Sequence, residues 1–296
     1  MNKFKGLIAV FLGAASFGIL STFVKKAYGE GFNLGEVTGV QALFGMVFLW
    51  VLLGIVVLFN KGYLKKYPAT TPTWKMILSG TATGAVSILY YKSVSLVPAS
   101  LAIVLLMQYI WIGQLIEFVV FKERPSKKTL IGIAVILAST LLATGLLEKE
   151  IQDISLLGIF YGLAAATAYA TIIIVNGRVG NDYAPLHKGA LMVTGAVILV
   201  FVLLQPFSIF QSGMDSLWNY GLLLAFFGTV LPPVLFAYGM PKTGVSLGSI
   251  LSAVELPVAV CMAYFVLHEY VSPLQFFGVV LILAVVVYIN TQTKKD

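Results

Sequence analysis

The strongest chemical signal in this sequence is a carboxylate placed where a bilayer would normally exclude it. Glu255 stands inside the apolar run ILSAVELPVAVCMAYFVL, and Pro257 follows two residues on. A charged side chain near a bilayer centre costs roughly 2.5–3.5 kcal/mol on insertion scales, so such groups usually face a cavity or a partner. Proline removes a backbone donor and would leave a carbonyl free near the acid. Two kinds of chemistry follow. Glu255 could carry a proton in one conformation and release it in another, or it could hold the ammonium of a substrate. A neutral glutamic acid bonded to a neighbouring helix and supporting the kink is the structural alternative. Pro232 and Pro233 interrupt an earlier apolar run in the same way. Two broken helices in one half of a chain mark a candidate binding and gating region, although prolines also bend helices in crowded bundles.

The other candidates are uncharged or sit near helix ends. Shifted by 146 positions, the stretch 97–132 falls on 243–278, with Ser100 on Ser246, Leu101 on Leu247, Leu105 on Leu251, Glu123 on Glu269 and Gly132 on Gly278. In that register Tyr109 takes the place of Glu255, flanked by Gln108 and Trp111. These three could line a cavity with hydrogen bonds and a flat apolar wall, or they could be lipid-facing or packed aromatic filler. Gln41 lies in the middle of its span and must find a partner, either a substrate or a neighbouring helix. Tyr90, Tyr91 and Tyr238 are expected to flank the extracellular ends of their spans, where tyrosines often anchor to the interface. Lys92 could hold a substrate carboxylate or snorkel to headgroups. Glu117 is expected one turn from a cytoplasmic helix end, and Glu123 and Glu269 are expected to terminate helices and fix loops.

The elements that must position these groups are apolar helices. The chain is 59% apolar and only 10% charged, whereas a soluble chain carries about 25% charged residues. About 20 apolar residues span the hydrocarbon core as a helix. Runs of that kind fall near 5–25, 35–58, 74–95, 98–121, 128–147, 155–176, 187–205, 217–240, 244–267 and 271–291. The first resembles a signal peptide, but nine more follow, so it is read as an uncleaved span. The expected architecture is an all-α integral membrane protein of ten transmembrane helices. Residues 1–147 form a first repeat of five spans, 148–155 an extracellular connector, and 156–296 a second repeat of five. Placing the connectors alternately puts 15 of the 19 Lys and Arg residues on one side, so both termini are expected in the cytoplasm. An odd number of spans per repeat inverts the second repeat relative to the first, an arrangement found in secondary transporters with a site near the midplane. Small residues recur at every fourth position on several spans, among them Gly158, Gly162, Ala166 and Ala170. Such spacing lets helix backbones approach closely.

The whole chain resembles the EamA-type members of the drug/metabolite transporter superfamily. The resemblance rests on the ten spans in two halves and on Pro98-Ala99-Ser100-Leu101-Ala102 opening the fourth span. It also rests on Phe121-Lys122-Glu123-Arg124 closing that span, and on Val254-Glu255-Leu256-Pro257 and His268-Glu269 in the second half. The family usually has glycine before the closing glutamate, where this chain has Lys122 and His268. The resemblance implies a carrier with an internal cavity and alternating access, whose relatives move amino acids, other metabolites or toxic organic compounds. The expectation is therefore a secondary exporter of small polar metabolites such as amino acids, in a bacterial inner membrane, with proton coupling through Glu255 left open. Efflux of lipophilic organic cations is the alternative, and a non-transporting sensor or intramembrane enzyme ranks below both. No catalytic motif, nucleotide-binding loop or soluble domain is evident. One cysteine and two histidines leave no disulfide and no multi-histidine metal site. The partners expected are a small-molecule substrate, the lipid bilayer and, if coupling is through Glu255, protons. No cofactor, metal or nucleic acid is expected, and oligomeric state is left open.

Overall fold

The computed structural model describes residues 2–97, 99–144, 147, 155–211, 215–268 and 270–292. Among these the chain is helical throughout, with no strand. In order come α1 (Asn2–Gly29), α2 (Leu34–Phe59), α3 (Thr73–Val94), α4 (Ala99–Met107), α5 (Tyr109–Phe121), α6 (Lys127–Ala143) and α7 (Leu156–Arg178). They are followed by α8 (Pro185–Leu204), α9 (Asp215–Leu224), α10 (Leu231–Thr243), α11 (Val245–Ser252), α12 (Glu255–Leu267) and α13 (Pro273–Gln292). Seven helical stretches are long and apolar enough to cross a membrane, with a shorter apolar helix at Pro273–Tyr288. The intervals near 74–95 and 128–147 are also helical, as α3 and α6, but they are less apolar. The former carries Ser79, Thr81, Thr83, Ser87 and Lys92. The expected connector 148–155 lies outside the described residues except for Ser155, whose hydroxyl accepts from the Gly158 N–H at 3.2 Å and caps α7.

Local sequence explains where helices start. Asn33 and Glu36 form a reciprocal capping box at α2: the Asn33 side chain accepts from the Glu36 N–H and the Glu36 carboxylate accepts from the Asn33 N–H, satisfying two otherwise orphaned donors. Ser126 caps α6 through the Thr129 N–H, and Pro185 opens α8, where its missing N–H costs nothing.

Packing is dominated by α3 against α8, α1 against α10 and α12, α3 against α7, α2 against α8, and α6 against α13. The α3–α8 contact depends on glycine. A Cβ at Gly80 would overlap the Met192 carbonyl, and one at Gly195 would overlap the Ile77 carbonyl. Each helix thus presents a glycine to the other's main chain. This is how transmembrane helices gain van der Waals contact without a hydrophobic drive between them.

The loop between α2 and α3 is tied to the α7–α8 corner. The Asp182 carboxylate accepts from the Thr70 hydroxyl at 2.9 Å, the Thr71 N–H at 2.6 Å and the Thr71 hydroxyl at 2.7 Å, and the Tyr183 hydroxyl donates to the Thr71 carbonyl at 2.8 Å. Burial alone would raise the pKa of Asp182, but the Thr71 and Thr70 hydrogen bonds outweigh it and bring the value down to about 2. A depressed carboxylate pKa stabilises the fold at any pH above its unfolded value near 4, and the contribution disappears as pH falls toward 2. Thermal midpoints taken from pH 6 down to pH 3 should therefore drop less steeply for Asp182→Asn than for the parent, from a lower starting value at pH 6.

Both copies of the 146-residue shift end their helix in the same strained way. Lys122 after α5 and His268 after α12 have φ of 59° and 54°, a region that costs a side-chain-bearing residue roughly 1–2 kcal/mol. These are the two positions where the family pattern has glycine. Lys122→Gly and His268→Gly should each raise stability by up to about 1 kcal/mol, read as a higher melting midpoint in detergent.

Candidate functional site

Two of the apolar runs are broken at equivalent places, and the site forms around those breaks. In the second copy α11 stops at Ser252 and α12 restarts at Glu255. Between them the ladder tightens to i→i−3 bonds, Ala253 N–H to Ile250 O at 3.2 Å and Val254 N–H to Leu251 O at 3.3 Å. The carbonyl that Pro257 cannot reach is that of Ala253, and the Leu256 N–H takes it up at 3.3 Å. The expected free carbonyl beside the acid is thus satisfied one residue earlier. In the first copy α4 stops at Met107 and α5 restarts at Tyr109, although no proline is present. There the side chain of Gln108 donates to the Val104 carbonyl at 2.8 Å and accepts from the Trp111 indole at 2.8 Å.

A third irregularity lies in the run that carries Pro232 and Pro233. Between α9 and α10 the chain makes a π-helical segment, Ala225–Val230, and the two prolines occupy the first turn of α10 immediately after it. The Thr229 hydroxyl donates to the Ala225 carbonyl at 2.9 Å and lies 3.2 Å from the Gln41 carbonyl, so the widened turn is stitched to α2. Single π turns of this kind are frequent at functional sites.

These breaks surround an inner chamber of about 60 Å³, whose largely apolar walls take polar groups from Glu255, Gln41, Tyr90, Tyr91, Tyr169 and Thr229, with the hydroxyls of Ser21, Thr83 and Ser87 beside them. A larger vestibule of about 490 Å³ adjoins it, and the two share Ser21, Tyr90, Tyr91, Ile103, Leu256 and Ala259 as lining. The vestibule reaches Lys25 and Tyr28 in the last turns of α1. Glu255 lies deep in the bundle, with part of its surface turned to this space. Its carboxylate accepts from the Tyr169 hydroxyl at 3.1 Å. The Tyr169 ring in turn packs on Tyr109 with centroids 4.5 Å apart and edge-on to Phe17 at 5.8 Å. On the facing wall the Tyr91 hydroxyl donates to the Gln41 side chain at 3.2 Å. Among the described residues, no Lys, Arg or His lines the inner chamber.

Glu255, Gln41 and Tyr91 therefore meet in one chamber. Tyr109 is fully buried behind it, with its hydroxyl 3.2 Å from the Ser249 carbonyl, and reaches the chamber only through Tyr169. Four of the sequence candidates lie away from the chamber. Gln108 serves the helix break itself, and Trp111 is 42% exposed on the outer surface of the bundle, so neither lines the cavity. Lys92, in the last turn of α3, lines neither the chamber nor the vestibule. Tyr238 is not at the end of the bundle occupied by Tyr90 and Tyr91. It contacts the Lys242 ammonium, and Lys242 packs beside Gly6 at the start of α1, whereas Tyr90 and Tyr91 share the vestibule with the last turns of α1. Glu269 and Pro98 lie outside the described residues. Pro257 is buried in the first turn of α12.

Sequence reasoning missed Tyr169. Its signal was present: on α7 it is a bulky hydroxyl among Ala164, Ala165, Ala166, Ala168 and Ala170, and small neighbours let a large ring reach across. It also missed Lys188, counted as a peripheral charge but 1% exposed in the first turn of α8, with its ammonium on the Asn176 carbonyl at 3.0 Å and the Asn181 side chain at 3.2 Å.

Helices apolar enough to span a bilayer, interrupted around an internal cavity that holds one carboxylate, define a membrane transport protein. The chain belongs to the EamA-like transporter family, whose model matches residues 4–145 and again 156–291. It is a multi-pass protein of the bacterial inner membrane. Among similar proteins, an uncharacterized transporter of Synechocystis sp. is 23% identical over 96% of this chain and 93% of its own length. The threonine/homoserine exporter RhtA of Escherichia coli is 25% identical over 71% of this chain and 68% of its own. An uncharacterized transporter of Archaeoglobus fulgidus is 24% identical over 94% of each. A crystal structure 14% identical in sequence superposes with a TM-score of 0.72 over 96% of this chain and 95% of that one, a likeness of fold.

The approach of α1 to the break controls the position of Glu255. A Cβ at Gly18 would overlap the Glu255 carbonyl and stand 2.7 Å from Val258 Cβ. Gly18→Ala should therefore push α12 away from α1, at a cost of about 1–3 kcal/mol from overpacking. A lowered melting midpoint should accompany loss of transport in vesicles, while Gly54→Ala, where nothing lies within 4 Å, should leave both unchanged.

Proposed function

We propose that this protein is a secondary exporter of small metabolites that carry an ammonium group, amino acids first among them, working by alternating access. The observation that carries this reading is Glu255: one carboxylate at a helix break, facing a chamber with no basic side chain on its walls. The carboxylate and the Tyr169 hydroxyl would take the ammonium, while the vestibule holds the remainder of the molecule. The chamber alone is too small for a whole amino acid, so binding would straddle the two spaces. The similarity to threonine/homoserine exporters supports the same substrate class.

Ten transmembrane spans in two inverted sets, 1–147 and 156–296 with both termini cytoplasmic, complete the proposal. Two features support it. The family model matches twice along the chain. Packing partners also exchange as a two-fold relation between the sets requires, α1 with α10 answering α7 with α3, and α1 with α12 answering α7 with α5. In that orientation the vestibule opens outward. Glu255 would release cargo there and take a proton, which links export to inward proton movement.

A specific observation also favours the second reading, efflux of lipophilic cations: walls of Phe17, Leu20, Ile103 and Met107 beside a lone carboxylate would suit a monocation with aromatic bulk. Counterflow in sealed vesicles separates the two. Vesicles preloaded with L-threonine should accumulate labelled threonine, and Glu255→Gln should reduce the initial rate about tenfold or more, the loss expected for one charge-assisted hydrogen bond. Counterflow of labelled tetraphenylphosphonium in vesicles preloaded with it, without threonine counterflow, would move the assignment to cation efflux, and absence of both would remove the transport reading.

A further inference from the structure

The end of the bundle opposite the vestibule is closed by a polar cluster that the chamber does not use. Glu117 on α5 is 2% exposed. Its carboxylate accepts from the Arg178 guanidinium at the end of α7, with Nε at 3.1 Å. The same guanidinium reaches Glu123 at 2.7 Å and lies over the Phe121 ring, 4.1 Å from its centroid. Ser246 on α11 donates to the Gln114 side chain at 2.7 Å and stands 3.4 Å from Glu117. The cluster joins α5 from the first family match to α7 and α11 from the second.

Among the described residues, two buried side-chain polar atoms on the helices that carry the cluster, α5 and α7, have nothing to bond. Gln114 Nε2 and Asn176 Oδ1 are buried without a hydrogen-bond partner, each leaving a desolvated group that costs about 1–3 kcal/mol. Their sequence positions give the reason. Under the 146-residue shift Gln114 falls on Val260 and Glu117 on Ala263. Under the 152-residue shift that sets Gly6 on Gly158, Asn176 falls on Val24. Val260, Ala263 and Val24 all line the open vestibule. The closed end therefore has the positions of a vestibule, with Gln, Glu and Asn where the open one has Val, Ala and Val.

We propose that Glu117 is a second ammonium site, exposed when this end opens, and that Arg178 occupies it in the closed state as a resident cation. This rests on the alternating-access reading above. The cargo's ammonium displaces the guanidinium from Glu117. Arg178 keeps its bond to Glu123, which is exposed enough to follow it. Gln114 and Asn176 gain water or cargo as partners, and the cargo moves on to Glu255. The competition lets cargo, rather than thermal fluctuation alone, open the gate on the side from which it arrives.

The test reads the gate without requiring transport. In a Cys261→Ala background, Ser246→Cys in detergent is labelled with a hydrophilic maleimide. The parent should label slowly. Arg178→Gln and Glu117→Gln should each label several-fold faster with nothing added, Arg178→Lys should stay near the parent rate, and Glu123→Gln should change it less than twofold. Ethylammonium or L-threonine should accelerate labelling in the parent and have no effect in Glu117→Gln. Parent-like labelling in both Glu117→Gln and Arg178→Gln, with both eluting as folded monodisperse protein, would overturn the lock. Undiminished amine acceleration in Glu117→Gln would overturn the site. If one of the two variants fails to elute as folded protein, the other decides. Threonine failing in the parent while ethylammonium succeeds would leave the lock standing and count against the amino-acid assignment, which the counterflow assay decides separately.

Discussion

Inside a bilayer an unpaired backbone group is tolerated only where protein or an aqueous cavity takes the place of water. The fold here is arranged around that constraint. Among the described residues three apolar stretches lose helical regularity, at Gln108, at Ala225–Val230 and at Ala253–Val254, and each turns part of its surface to the interior. α1 is pressed against one break at Gly18, and α2 against another through Gln41 and Thr229. The cavity is what remains between irregular segments that cannot be packed against lipid. Its one carboxylate among the described residues, Glu255, faces that space from the first residue of α12.

The two breaks at equivalent positions are maintained by different chemistry. In the second copy Pro257 removes a donor permanently, and the turn is covalently fixed. In the first copy the amide of Gln108 occupies the Val104 carbonyl, a bond that can be exchanged. The backbone irregularity recurs with different side chains, an acid at one and a buried tyrosine at the other. Tyr169 joins them, bonded to Glu255 and packed on Tyr109 with its ring tilted.

Much of this was legible in the sequence, and the remainder was hidden for identifiable reasons. Apolar run lengths placed helices in every expected interval, because in lipid a helix is the one open-ended way to satisfy a backbone. Glu255 and Gln41 stood out as polar groups where none is easily accommodated. The break at Gln108 was invisible because proline was taken as its marker, whereas a side-chain amide does the same work without a signature. Of the two roles left open for Gln108 and Trp111, lining the cavity is not the one the structure places them in, because sequence neighbours on a helix point in different directions, 100° apart per residue. Tyr238 was assigned to the wrong end by its aromatic character alone, although Lys242, four residues on, already marked the other. Tyr169 and the pairing of Glu117 with Arg178 depend on which helices adjoin, which no single run records.

Lys188 bears on how the molecule is made. While α8 is entering the membrane and the α7–α8 corner is still open, its ammonium is hydrated at a helix end and weighs in the choice of orientation as any lysine would. In the finished protein the same ammonium is covered by Asn176 and Asn181 and contributes nothing to surface charge. The signal that orients the helix during biogenesis is therefore consumed by assembly. Closing that corner means dehydrating a cation, so the charge map of the mature surface is not a record of the charges the chain carries before it folds.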